Sequence, residues 1–403
     1  MSETAQHSQR AAGNGTADAI VIGGGVIGLA IAWELTRRGS RVDLFERDRP
    51  GRATSWVAAG MLAPVGELDF GEPDLLQLNL ESARLYPELV RTVEAVSGRD
   101  AGMMGGGALH VALDRDEAAE LRRILELQQS HGLDSRWLGP AAAREIEPAV
   151  SPSLAGAVLA GHDAVIDPRA LTAALAAALE TTASTVRSGS EVEALLKPDG
   201  GEWGADPAAP VGGVRLADGT ESFAPQVIVA TGCESGRAPW LPEALRPPVR
   251  PVKGQVVELR GDPEDPVVSR ITGSERVYVA PRRDGRVVLG ATVEEMAFDA
   301  RVTAGGVHEM LREGYRLIPE IAELEFVGAI AGFRPGTPDN LPVIGPVAEG
   351  LILATGHYRN GILLAPVTAV TVADLVAGQP LSGPARGADP ARFSSRTTKA
   401  GRR

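Results

Sequence analysis

The chain has 403 residues, 44% of them hydrophobic, enough to bury a large core as two domains or as one elaborate α/β domain. A formal net charge of −12 gives no electrostatic reason to bind nucleic acid or an anionic membrane, and a single cysteine, Cys233, excludes an internal disulfide or a cysteine-rich metal site. That cysteine usage suits a reducing cytoplasm, and no apolar run reaches the ~18 residues that a membrane span requires.

Residues 1–17 are small and polar and are expected to form a disordered arm. Ala19 to Ile22 is a wholly apolar, β-branched-rich run of the kind buried in a parallel sheet, and Gly23, Gly25 and Gly28 follow it at GxGxxG spacing. The first glycine permits a sharp turn, the second lets backbone approach a pyrophosphate, and the third lets the next helix pack closely. Ile27, Ala30, Ile31 and Leu35 recur at helical spacing until Gly39, and Arg41 to Phe45 is a second strand. Glu46 ends it roughly 20 residues beyond the glycines, where a carboxylate can accept from ribose hydroxyls and would repel a 2′-phosphate. The unit is a dinucleotide site; a structural βαβ unit with an empty turn is the alternative.

From Arg47 to Pro64 the chain is dense in small and basic residues, which suit something bulky lying against backbone. Asp74 to Val96 is a helix with one apolar face, Gly102 to Leu113 a glycine-rich turn and strand, and Asp116 to Gln129 a charged amphipathic helix. A short helix near 141–148, two short strands between Gly156 and Asp167, an alanine-rich helix from Arg169 to Leu179 and strands near Thr185 and Val192 follow. Asp218-Gly219 turns between two strands, and Gln226 to Gly232 is a buried strand ending in Ala230, Thr231 and Gly232, another close backbone approach. Cys233 is expected to be inert packing. Hairpin-like strands at Val252 to Leu259, Val277 to Arg282 and Val287 to Thr292, then a helix from Val307 to Ile318, form a substrate-domain sheet and its cover. Residues 378–403, rich in Gly, Pro, Ser and Arg, are expected to be a solvated tail.

Four segments, read with the GxGxxG turn, carry a resemblance: Thr54 to Leu62 (TSWVAAGML), Val227 to Gly232 (VIVATG), Gly332 to Gly345 (GFRPGTPDNLPVIG) and Ala354 to Pro366 (ATGHYRNGILLAP). Together they are similar to the D-amino acid oxidase superfamily of flavoproteins, and within it to the glycine oxidases of thiamine biosynthesis. The resemblance implies an α/β fold: a discontinuous Rossmann-like FAD-binding domain (18–85, 150–235 and 326–377) with an inserted α+β substrate domain (86–149 and 236–325) on a largely antiparallel sheet. It implies cofactor contacts from Gly23, Gly25, Val26, Ile27, Gly28, Glu46, Arg47, Thr54, Ser55, Ala59, Gly60, Met61, Val192, Ala230, Thr231, Gly232, Arg334, His357, Arg359, Asn360, Gly361 and Ile362. Arg334 is implied to hold the substrate carboxylate, which a guanidinium does with two parallel N–H groups. By the same resemblance Tyr278 is expected to face that carboxylate and Arg359 to flank the pocket, while Val293 stands where the resembled enzymes have a methionine.

The six histidines have no ligand spacing, and no GxSxG elbow is present, so metal-dependent or serine hydrolysis is not expected. Amine oxidation by a flavin needs no protein acid or base: a neutral amine lets the Cα hydride pass to FAD, and water hydrolyses the resulting imine. FAD is expected to be noncovalent, because Val57 and a thiol-free carboxylate-binding strand offer no attachment point. The resemblance thus implies glycine, with sarcosine and small D-amino acids as secondary substrates, oxidised by O2 in a homo-oligomer, with the imine available to a thiazole synthase. A D-amino acid dehydrogenase or sarcosine oxidase-like enzyme, and a noncatalytic nucleotide-binding subunit, are the competing readings.

Overall fold

The computed structural model describes residues 17–68, 70–204 and 209–393; the expected arm, apart from buried Ala17, lies outside them. Ala19–Ile22 is a central strand, flanked in parallel by Val42–Phe45 and Val227–Val229. Thr185–Arg187 and Leu351–Thr355 extend the parallel set on either side, and antiparallel Val343–Ala348 closes one edge of this six-stranded sheet. Apolar side chains on both faces of the inner strands dictate this burial. Helices Val26–Arg37, Pro73–Ser97, Pro168–Glu180 and Ala365–Val376 cover one face, where Leu29, Ile31 and Leu35 are buried at about 1.5–3 kcal/mol each. The other face packs against a three-stranded antiparallel sheet carrying Val192, Leu195 and Val214.

A second sheet has eight strands, in spatial order Glu325–Gly336, Arg250–Arg260, Arg286–Gly290, Tyr278–Pro281, Ile271–Gly273, Ala108–Ala112, Gly156–Ala160 and Ser135–Leu138. Only the Ile271–Gly273 and Ala108–Ala112 pair is parallel. The helix Ala304–Leu317 buries Met310 and Leu317 on one face of this sheet, while Ala59, Val165 and Val256 cluster against the other, beside the nucleotide turn.

Four segments differ from the sequence expectation. Residues 325–336 pair with Arg250–Arg260 along the whole strand, so they belong to the eight-stranded sheet rather than to the 326–377 nucleotide segment. Gly156–Ala160 joins that sheet too, and Tyr86, Leu89 and Val93 pack in the core under the six-stranded one. Residues 383–393 are not a free tail: they form two 3-10 turns that bury Ala385 and Ala388, with the Arg392 guanidinium on the Asp339 carboxylate (2.9 Å) and donating to the Leu341 carbonyl oxygen (2.9 Å). The rest of the expected tail, 394–403, lies outside the described residues.

Candidate active site

The GxGxxG turn is shaped by contact. A β-carbon at Gly28 would overlap the Gly23 carbonyl oxygen, so only glycine lets the helix start this close to the strand. Gly25 is open on its outer side, where an added β-carbon would meet only the Ser55 Oγ at 3.6 Å. The helix that follows has no acidic residue in its first turn, and the Val26 N–H donates to Ser55 Oγ (3.0 Å). An anion is the natural occupant of such a terminus. Glu46 accepts from the Gly24 N–H (2.7 Å) through one oxygen and from the Asp48 N–H (2.9 Å) through the other, which places its carboxylate beside the turn.

From this turn a cavity of about 1190 Å³ runs to the inner face of the eight-stranded sheet, at the large end for small-molecule sites. Its wall includes Gly23, Gly25, Val26, Ile27, Glu46, Arg47, Thr54, Ser55, Ala59, Gly60, Met61, Val192, Ala230, Thr231, Gly232, His357, Gly361 and Ile362, together with Tyr278, Val293, Arg334 and Arg359. Gly28 and Asn360 are not on it: Gly28 lies beneath the turn, and Asn360 is buried in a 3-10 turn, its carbonyl accepting from the Leu364 N–H.

The polar end of the cavity is built by close packing of glycines. Gly254 and Gly332 face each other across two antiparallel strands, and the Arg334 guanidinium lies over Gly254, where a β-carbon would come within 2.7 Å of Cζ. Arg334 Nη1 donates backward to the carbonyls of Thr292 (3.1 Å) and Lys253 (3.4 Å). No carboxylate pairs with it among the described residues, so its charge is available to the cavity. Tyr278 stands opposite Gly290, which makes room for its hydroxyl, and burial pushes the phenol above its ordinary range while the Arg334 charge opposes that.

Arg359 is differently placed. It sits at the rim with its guanidinium on Glu67 (3.1 Å) and Glu72 (3.0 Å), two carboxylates that already match its charge. Val293 is two-thirds exposed at the rim rather than packed at the centre.

Glu67 and His110 are among the wall residues that were not singled out from sequence. Glu67 joins the Arg359 pair, and burial pushes its carboxyl up against the opposing charges of Arg359 and Arg334. His110 projects from the strand Ala108–Ala112; burial lowers it to about 4, so it is neutral, and its Nε2 has no hydrogen-bond partner. His357 is lowered to about 3 by burial and bonds Thr368 Oγ1 (2.9 Å) through Nε2. The loop from Thr54 to Met61 is tied to the strand that carries Arg334, because Thr54 Oγ1 donates to the Phe333 carbonyl (2.8 Å). Cys233 Sγ reaches the same oxygen (3.3 Å), and burial raises its thiol to about 12, which keeps it unreactive.

Residues 18–375 match the model of a family described as FAD dependent oxidoreductase. The chain belongs to that family. One similar protein is a glycine oxidase from Geobacillus kaustophilus, 35% identical over 89% of this chain and 92% of that protein. The bifunctional protein ThiO/ThiG of Trichormus variabilis is 36% identical over 90% of this chain, which spans about half (53%) of that longer protein. The crystal structure of the Geobacillus kaustophilus glycine oxidase superposes with a TM-score of 0.84 and 32% identity, covering 94% of this chain and 99% of that one. The fold is therefore the α/β fold of the FAD dependent oxidoreductases, and the chain is an oxidoreductase with FAD as its cofactor. The residues present fit that group: a helix N-terminus free of acids, an open Gly25 and a carboxylate at the end of the second strand.

Proposed function

We propose that the chain is a glycine oxidase, converting glycine, O2 and water to glyoxylate, ammonia and hydrogen peroxide. The observation that carries this reading is one unpaired guanidinium, Arg334, facing a cavity continuous with the dinucleotide turn. Bound FAD supplies a two-electron acceptor for hydride from the substrate Cα. The protein supplies position. Arg334 binds the carboxylate through its two forward N–H groups, and Tyr278 adds a hydroxyl from the neighbouring strand. The residues named for FAD are the turn Gly23 to Gly28, Glu46 on the ribose, and the Thr54 to Met61 loop against the ring.

Removal of the substrate's ammonium proton needs no protein base, since water reaches the rim at Val293 and Arg359. Sarcosine and small D-amino acids are expected secondary substrates, because a valine leaves that rim open. The similarity to proteins in which this module is joined to ThiG supports delivery of the imine to a thiazole synthase. A homo-oligomer remains the expected assembly.

The test is peroxide release from glycine in air with no added acceptor, together with anaerobic bleaching of the yellow protein by glycine. Bleaching without peroxide would instead identify a dehydrogenase. A protein that stays yellow with every small amino acid would refute the reading.

A further inference from the structure

Arg334 is aimed from behind by backbone and not by a counter-ion: its two rear acceptors are the carbonyls of Thr292 and Lys253. Both belong to a compact network outside the cavity wall. Lys253 is fully buried, an expensive place for an ammonium, and its Nζ lies 3.2 Å from Glu294 Oε2. That Nζ makes no aligned hydrogen bond, so charge pairing with Glu294 is what holds it. The second Glu294 oxygen accepts from Gln255 Nε2 (2.7 Å) and Thr292 Oγ1 (2.5 Å).

The same residues are joined through their main chains. Lys253 and Glu294 exchange both N–H···O bonds (2.9 and 3.0 Å), and the Gln255 N–H donates to Thr292 Oγ1 (2.9 Å). These contacts matter because the regular strand ends at Gly290. Residues 291–294 have left it, and the network is what keeps the Thr292 carbonyl beside that of Lys253. Burial disfavours the charged form of Glu294, yet the hydrogen bonds from Thr292 and Gln255 and the nearby Lys253 charge outweigh it and hold the carboxyl below its ordinary range, so Glu294 stays ionised.

We infer that Lys253 and Glu294 are positioning residues: their buried ion pair fixes the two carbonyls that orient the Arg334 guanidinium and thereby sets the affinity for the substrate carboxylate without touching substrate. This rests on Arg334 being the carboxylate anchor of the proposed glycine oxidase. Lys253→Met leaves an unmatched carboxylate at Glu294, which moves toward water and releases the Thr292 carbonyl. The double variant Lys253→Met/Glu294→Gln leaves no unmatched charge, and the glutamine oxygen still accepts from Gln255 and Thr292.

The experiment uses FAD-loaded protein and two ligands: glycine in steady-state assays, and acetate, a carboxylate with no amine, titrated through the flavin absorbance. Lys253→Met is expected to raise the glycine KM and the acetate Kd together by about tenfold with kcat within about twofold, and the double variant to recover most of that loss. Should Lys253→Met not fold, Glu294→Gln alone gives the same readout, at about threefold. A lowered melting temperature with acetate Kd and glycine KM unchanged would overturn the inference, since that is what a purely structural pair does. Arg334→Ala separates the two levels. If it abolishes acetate binding while the Lys253 and Glu294 variants bind normally, only the positioning role falls; if it binds acetate as the unmodified protein does, the anchor itself is wrong and both fall.

Discussion

A β-carbon at Gly254 would sit 2.7 Å from Cζ of Arg334, so the guanidinium occupies space that only glycine leaves on that strand. The proposed substrate anchor is therefore set by a missing side chain as much as by a present one. Gly254→Ala is expected to raise the glycine KM by about tenfold or more by displacing Arg334, with FAD content unchanged. Flavin absorbance per protein and glycine kinetics check both halves. Gly28→Ala makes the contrast: its methyl group meets the Gly23 carbonyl, and the expected loss is FAD itself.

Removing the anchor is the direct test. Arg334→Ala is expected to cost about 3 kcal/mol or more, roughly two orders of magnitude in kcat/KM for glycine, as for loss of a buried charged hydrogen-bond partner. Arg334→Lys recovers only part of it, because an ammonium cannot present two parallel donors. Arg359→Ala is expected to cost less than Arg334→Ala, since Glu67 and Glu72 already match the Arg359 charge. Equal losses in the two alanine variants would show that both arginines bind the carboxylate.

FAD is expected to leave with the supernatant when the protein is precipitated by acid. The thiol at the cavity, Cys233, donates to a backbone carbonyl and is raised to about 12, and the cofactor loop carries Val57 where a histidine would be required. Yellow colour retained in the pellet would contradict this.

Asp163 gives the pH dependence. Its carboxyl is raised to about 7 by burial, against the N–H donors of Val65 and Gly66. A raised folded value means that the folded state holds a proton the unfolded chain has released. The stabilisation is complete below about pH 4 and is lost as pH rises through about 7. Asp163→Asn, which stays neutral, is expected to flatten the fall in melting temperature between pH 5 and 8. His357 and His110 act in the opposite sense, since both are lowered, and weaken the fold as pH drops below about 6.5.

What could be read from sequence was local. Ala19 to Glu46 announces its strand, turn, helix and acid within one short stretch, and Arg334 stands out between Gly332 and Pro335. What could not be read depends on distant partners. Residues 325–336 join the eight-stranded sheet because Arg250–Arg260 offers a matching edge some eighty positions away. Glu67 enters the cavity because Asp163 accepts from the N–H groups of Val65 and Gly66 and so bends its loop inward. The turn at 383–388 and its neighbour at 390–393 are held by burial of Ala385 and Ala388 and by Arg392, which reaches Asp339 and the Leu341 carbonyl, contacts that composition does not reveal.

Thr54 and Cys233 converge on a single carbonyl, that of Phe333, one residue before the anchor. On the proposed reading, one peptide unit thus couples the loop assigned to the electron acceptor with the strand that carries the amino acid's anchor. Diversification of amine preference in this lineage should accordingly spare that peptide and concentrate at the water-facing margin, around Val293, where a side chain can grow without moving the reacting centres.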